Sequence, residues 1–150
     1  EHFDHIWGCN YLVEKYHSKI ICSVLCSEAI QDAKRNHSLF YNQKAFQVPA
    51  ADICIEDIGF NWNWNGWGIT FFVAEGHTNA GICFEIGNSL FTGDTLLKDL
   101  RTVTKLFCGS KEKLVVTINR IKRLQGKGFY VYPGHGDGFD LDNYDLNKAL

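Results

Sequence analysis

The sequence predicts a layered α/β fold, and three observations carry that prediction. Apolar runs of strand length recur at Ile69–Ala74, Ile82–Ile86, Ser89–Thr92 and Phe129–Tyr132. A strongly periodic segment opens at Ser110 and places Leu114, Val115, Ile118, Ile121 and Leu124 on one helical face,. Similar alternation occurs nearer the start of the chain, and strands interleaved with helices point to sheet and helix layers around one core.

Taken in order, Ile6, Cys9, Leu12, Val13 and Tyr16 recur at helical spacing and predict an amphipathic helix,. Ile20–Leu25 reads as a strand, and Ser27 is placed to cap a helix carrying Ala29, Ile30 and Ala33 and ending near Asn36,. Residues 37–57 mix aromatics, polar residues and Pro49, which predicts loop with one short strand over Ile53–Ile55. Asn61–Ile69 alternates polar and aromatic residues about Asn65-Gly66, the dipeptide favoured in two-residue hairpins,. A second hairpin is expected at Gly87-Asn88,. The Ser110 helix is closed by Gly126 and Gly128, Phe129–Tyr132 follows as a strand, and Asp137–Leu150 is expected to form a terminal turn or helix,.

With 150 residues, 45% apolar and 21% charged, the chain reads as one globular domain over 1–150,. No apolar run approaches the roughly 20 residues of a membrane-spanning helix, so no membrane partner is expected. Six cysteines lack paired zinc-finger spacing and lie mostly in apolar contexts, so they are expected to be reduced and largely buried, which favours the cytoplasm,. Between Lys98 and Lys127 there are nine basic residues and two acidic ones, against a net charge of −2 for the whole chain. Such a stretch is either a solvated helix face or an attractor of anions.

Function is concentrated in four short signatures: His2-Phe-Asp4-His5, Gly76-His77-Thr78, Gly93-Asp94-Thr95 and Pro133-Gly-His135-Gly. Imidazole and carboxylate are the ligand types that suit zinc and, with more oxygen donors, iron or manganese. The later three signatures each follow an apolar run and are flanked by glycine. If those strands run in one sheet, their loops can converge at one edge, where α/β sheets commonly bind ligands. His17 and His37 fall outside the signatures and are expected to be structural or solvent-facing.

The stretch Glu75–Leu97 and the loop Tyr132-Pro-Gly-His-Gly136 resemble the central and last ligand segments of the metallo-β-lactamase fold superfamily. The resemblance runs from His2 to about Gly136, implies an αβ/βα sandwich, and is nearest to the glyoxalase II-like branch, because aspartate rather than cysteine or serine stands at position 94. The family motif His-x-His-x-Asp-His places one more histidine ahead of Glu1, behind an N-terminal half-sandwich. The chain also contains no methionine. The sequence therefore reads as the C-terminal portion of the full fold, with a sheet surface expected to be left open for self-association.

Residue by residue, the resemblance implies His2 and His77 on a first metal, Asp4, His5 and His135 on a second, and Asp94 between them. The implied cofactors are two divalent ions, zinc first, with iron or manganese as alternatives. The implied chemistry is hydrolysis of an ester, thioester, lactone or related bond of a small molecule by a metal-bound hydroxide, with Asp4 orienting the water or shuttling its proton. Two alternatives stand beside it: a mononuclear-iron persulfide dioxygenase of the same fold, and a catalytically inactive fragment or binding module. Nucleic acid is not an expected partner, since a nuclease of this fold would carry more positive charge and a docking arm. Trp62, Trp64 and Trp67 are candidate substrate-wall residues or hairpin packing.

Overall fold

The computed structural model describes residues 1–41, 44–56 and 59–150. Residues 42, 43 and 57 of the expected 37–57 loop lie outside them. The chain divides into two compact units, Glu1–Glu56 and Asp57–Leu150.

In the N-terminal unit, α1 (Phe3–Ile6) leads to α2 (Cys9–Tyr16), β1 (Ile21–Ser23), α3 (Val24–Ile30), α4 (Ser38–Tyr41) and β2 (Ile53–Ile55). The predicted first helix forms, but its apolar stripe is largely unburied beyond Ile6: Leu12 and Tyr16 are exposed. His17 ends α2 in the left-handed conformation at φ 53°, donating its backbone N–H to the Val13 carbonyl, and the Ser18 N–H donates to the Leu12 carbonyl.

The strand expected over Ile20–Leu25 stops at Ser23, and the expected cap at Ser27 is wrong. Ser23 is the N-cap, its hydroxyl accepting from the Cys26 amide at 3.1 Å, so the helix starts four residues earlier than predicted. Capping one of the orphaned first-turn amides outweighs the β preference of Val24. Ser27 lies inside α3, where its hydroxyl accepts from the Ala51 amide at 2.9 Å. The strand predicted over Ile53–Ile55 is present and pairs parallel with β1.

Between α3 and β2 a buried polar cluster forms around the start of α4. Asn36, fully buried, donates to the carbonyls of Phe46 at 2.9 Å and Ile30 at 3.3 Å and accepts from the Ser38 amide at 2.8 Å. The Phe46 amide donates to the Ser38 hydroxyl at 3.0 Å. Every buried polar group here is matched, as interiors require.

The C-terminal unit is a six-stranded sheet in the order β3 (Phe60–Trp64), β4 (Trp67–Val73), β5 (Ile82–Ile86), β6 (Ser89–Gly93), β7 (Tyr130–Pro133), β8 (Phe139–Asp140). All neighbours are antiparallel except β6 and β7, whose crossover contains α5 (Lys111–Lys122). Both hairpins fall where the sequence places them. Asn65 and Gly66 both have positive φ, the type I′ signature, and Gly87 has φ 54° at the first central position of the second turn,.

Period-2 alternation separates the sheet's faces. Phe72, Cys83, Leu90 and Val131 point into a core with Leu114, Ile118 and Ile121 of α5. On the other face Phe60, Phe71, Phe84, Phe91 and Tyr132 are register neighbours across β3 to β7. Their ring centroids stand 6.1, 5.5, 4.6 and 5.1 Å apart, an aromatic ladder across five strands,. Ser110 caps α5 as predicted, its hydroxyl accepting from the Lys113 amide. The acidic tail provides β8 and a terminal 3₁₀ turn over Leu146–Ala149. Asp142 binds the amides of Gly126 and Gly128, both at positive φ, at 2.7 and 3.0 Å.

All six cysteines are free, but the expectation that they are largely buried holds for only half. Cys22, Cys26 and Cys83 are buried, Cys9 is half-buried, and Cys54 and Cys108 are exposed. Cys54 occupies a three-residue strand, and Cys108 sits in the loop before α5 at φ 63°.

Candidate metal centre

The direction of three strands brings three of the candidate ligands to one edge of the sheet. β4 and β6 are each antiparallel to β5, and β7 is parallel to β6, so all three point the same way. Their following loops, which carry His77, Asp94 and His135, therefore leave the same edge of the sheet. β5 intervenes between β4 and β6, so the three strands are co-directional without all being adjacent.

The loops are tied to one another by backbone groups. Gly134 N–H donates to the Gly93 carbonyl at 2.8 Å, joining the His135 loop to the Asp94 loop. The Thr95 hydroxyl donates to the Ala74 carbonyl at 3.4 Å, and Thr102 donates its hydroxyl to the Thr95 carbonyl at 2.9 Å. The α5 end holds the His77 loop: Thr117 donates to the Glu75 carbonyl at 2.7 Å and the Ser110 amide to the Gly76 carbonyl at 2.9 Å. Gly76 is required here, since it sits at φ +144° and a Cβ would stand 2.6 Å from Leu114 Cα,.

His77 Nδ1 lies 2.8 Å from the Val103 carbonyl oxygen. A carbonyl only accepts, so Nδ1 carries the proton and Nε2 presents its lone pair, the orientation that metal-ligating histidines share. That Nε2 is 3.7 Å from Asp94 Oδ2, and His135 Nε2 is 3.6 Å from Asp94 Oδ1. Each oxygen of one carboxylate thus faces a different imidazole, at distances too long for a hydrogen bond. Donors about 2.1 Å from one tetrahedral cation stand roughly 3.4 Å apart, so both pairs are spaced for a shared cation, and a carboxylate between two imidazoles can serve two cations. The donor set fits divalent zinc, and Asp94 and His77 are mostly buried.

In the N-terminal unit His2 precedes α1, and Asp4 and His5 lie on it. His5 Nε2 is 3.8 Å from Asp4 Oδ2, and His2 Nε2 is 3.9 Å from Glu1 Oε1. The Phe3 amide donates to the Asn36 carbonyl at 2.8 Å, anchoring α1 on the buried polar cluster. His37, at φ 67°, stacks on the His2 ring with centroids 4.7 Å apart. The stack gives His37 a structural place, one of the two roles expected for it. Its partnership with His2 was not predictable, because 35 residues separate them and nothing local signals the stack.

The tryptophans are placed differently. Trp64 and Trp67 close the first hairpin at the start of β4, six residues or about 20 Å along the strand from the end that leads to His77,. Both are exposed, and Trp62 stacks on Phe60 with centroids 6.4 Å apart. The structure does not bring Trp64 and Trp67 to the ligand edge. Sequence reasoning missed Val103 and Thr102, which orient the ligand loops through a backbone carbonyl and a hydroxyl and leave no motif, and it placed Thr95 in a signature without reading its tie to Ala74.

Residues 1–137 match the family described as Metallo-beta-lactamase superfamily. The chain is 30% identical over 91% of its length, and 54% of the relative's, to a protein of Bacillus velezensis named probable polyketide biosynthesis zinc-dependent hydrolase BaeB. It is 29% identical over 89% of its length, and 48% of the relative's, to the hydroxyacylglutathione hydrolase of Pelagibacter ubique. The chain spans about half the length of these curated relatives. The crystal structure of the B3 metallo-beta-lactamase BLEG-1 superposes with a TM-score of 0.84 at 19% identity, covering 93% of this chain and 68% of that one. Among the described residues no helix is long and apolar enough to cross a membrane. The α/β architecture, the ordered motifs and the matched family agree, and the chain belongs to the metallo-beta-lactamase superfamily.

Proposed function

We propose that this protein is a metal-dependent hydrolase of small-molecule esters, thioesters, lactones or related bonds, with His2, Asp4, His5, His77, Asp94 and His135 as its ligands and Asp4 also as proton carrier. The observation that carries the proposal is the Asp94 carboxylate, whose two oxygens face the Nε2 atoms of His77 and His135 at 3.7 and 3.6 Å. The names of the two curated relatives, a zinc-dependent hydrolase and a hydroxyacylglutathione hydrolase, support zinc and acyl-bond cleavage.

Two divalent ions held by this set would lower the pKa of a shared water from ~16 toward ~7 and polarise the scissile carbonyl. The chain's own residues prepare that chemistry. Val103 fixes the His77 tautomer, so no proton must leave Nε2 before it ligates. The ties between the Gly93 and Gly134 loops hold Asp94 and His135 in place before any substrate arrives, which is the preorganisation that such sites depend on,. Asp4 would carry a proton to or from an attacking water, with the His5 imidazole 3.8 Å from its Oδ2,.

Metal content per chain, measured by elemental analysis of untagged protein, tests the proposal together with hydrolysis assays on thioesters, lactones and esters. About two zinc per chain with hydrolysis is the expected result. One iron per chain with oxygen-dependent turnover of persulfides would replace it with the dioxygenase reading. Folded protein without metal or turnover would leave a binding module.

A further inference from the structure

The basic stretch identified in the sequence is not spread evenly over a solvated face. Three of its cations, Arg101, Lys105 and Lys111, line one cavity of about 440 Å³, whose apolar wall includes Leu114. Among the described residues none of the three has an ion-pair or hydrogen-bond partner, whereas Lys113 is paired with Glu75 and Lys148 with Asp99. Lys111 is also the first residue of α5, a twelve-residue helix whose N-terminal amides add positive potential,.

The cavity is joined to the ligand edge through its own wall. Thr102 and Val103, between Arg101 and Lys105, are the residues that bind the Thr95 carbonyl and His77 Nδ1. Segment 101–105 therefore shapes a cationic cavity with some side chains and orients a ligand with others. Thr102 is itself pinned, its amide donating to the Ala149 carbonyl at 3.0 Å. Gly109 allows the segment's close approach, since a Cβ there would lie 2.5 Å from the Thr104 oxygen and 3.0 Å from the His77 oxygen.

We infer that this cavity binds an oxyanion, a carboxylate or phosphate carried by the substrate away from its scissile bond, through Arg101, Lys105 and Lys111. As a substrate subsite this rests on the hydrolase reading above. As an anion site it stands alone. Clustered cations of one sign in a concave, partly apolar wall focus potential and favour a multiply charged ligand. Arg101 offers the planar fork that matches carboxylate and phosphate, and the two lysines supply point charge.

The test is titration of the full chain, with zinc and after chelation, with inorganic phosphate and with succinate, followed by amide chemical shifts. The expected result is saturable shifts at Arg101, Lys105 and Lys111 in both forms, weakened about tenfold or more in Lys105→Ala/Lys111→Ala, with the stronger anion naming the source. Lys122→Ala/Arg123→Ala removes equal charge from the far end of α5 and should leave the affinity within about twofold, because charges beyond a Debye length are screened. Shifts that never saturate, or equal loss in both double variants, would overturn the site. Localised binding without hydrolysis would overturn only the hydrolase reading, and hydrolysis without localised binding only the cavity assignment.

Discussion

The two halves of the proposed ligand set are built in opposite ways. In the C-terminal unit the proposed ligands stand on loops after three co-directional strands, cross-tied by the Gly134–Gly93 bond and by Thr95, Thr102 and Thr117. In the N-terminal unit they stand on or beside a four-residue helix without a side-chain cap, anchored by the Phe3–Asn36 bond and the His2–His37 stack. A short uncapped helix has little stability of its own, so its ligands depend on packing, whereas the sheet edge carries its ligands on a continuous hydrogen-bonded frame. One half is rigid by topology, and the other is held by a few specific contacts.

The comparison breaks most severely at Asp94, which faces both imidazoles. Asp94→Ala should lower metal below one ion per chain and cut hydrolysis by more than about 100-fold, since even outer partners of ligands cost 10- to 100-fold. Elemental analysis with kcat/KM measures both. Next, Gly76→Ala forces a side chain into Leu114 at a positive φ and should cost about 3 kcal/mol, read as a fall in Tm,.

Asn36→Ala sharpens the contrast between the halves. It strips partners from the Phe46 carbonyl and Ser38 amide and should cost about 2 to 3 kcal/mol,. Amide spectra should then show the N-terminal unit perturbed and the β3–β8 sheet intact; equal perturbation of both would erase the distinction drawn here. Thr102→Val removes one hydrogen bond to the Thr95 carbonyl and should cost about 1 kcal/mol, detectable by denaturant titration,.

The smallest effect is chemical. Burial pushes the Cys83 thiol up to about 12, so it stays protonated at pH 8 and forms the reactive thiolate only as pH climbs toward that value,. Brief iodoacetamide treatment at pH 8 should therefore label exposed Cys54 and Cys108 and spare Cys83, as mass spectrometry would show.

Much of the C-terminal unit was legible in the sequence. Its hairpins announce themselves by Asn65-Gly66 and Gly87-Asn88, and its helix by a capped apolar stripe, because turn chemistry and periodicity are local properties. The N-terminal unit was less legible. There Ser23 and Ser27 are both chemically able to cap a helix, and only the position of the Ala51 amide, 24 residues from Ser27, decides which one is used elsewhere. The burial of cysteines was misjudged for the same reason, since an apolar neighbour in sequence does not say which side of a short strand meets solvent.

By itself the sequence determined the order of the imidazole and carboxylate signatures and the strand ends that precede the later three, since these follow from side-chain chemistry and local pattern. Tertiary structure alone decided that β4, β6 and β7 run the same way, that Val103 sets the His77 tautomer, that His37 stacks on His2, and that three of nine basic residues share a cavity. Each of these joins residues distant in the chain through backbone geometry, and backbone carbonyls, which every residue carries, leave no trace in a sequence.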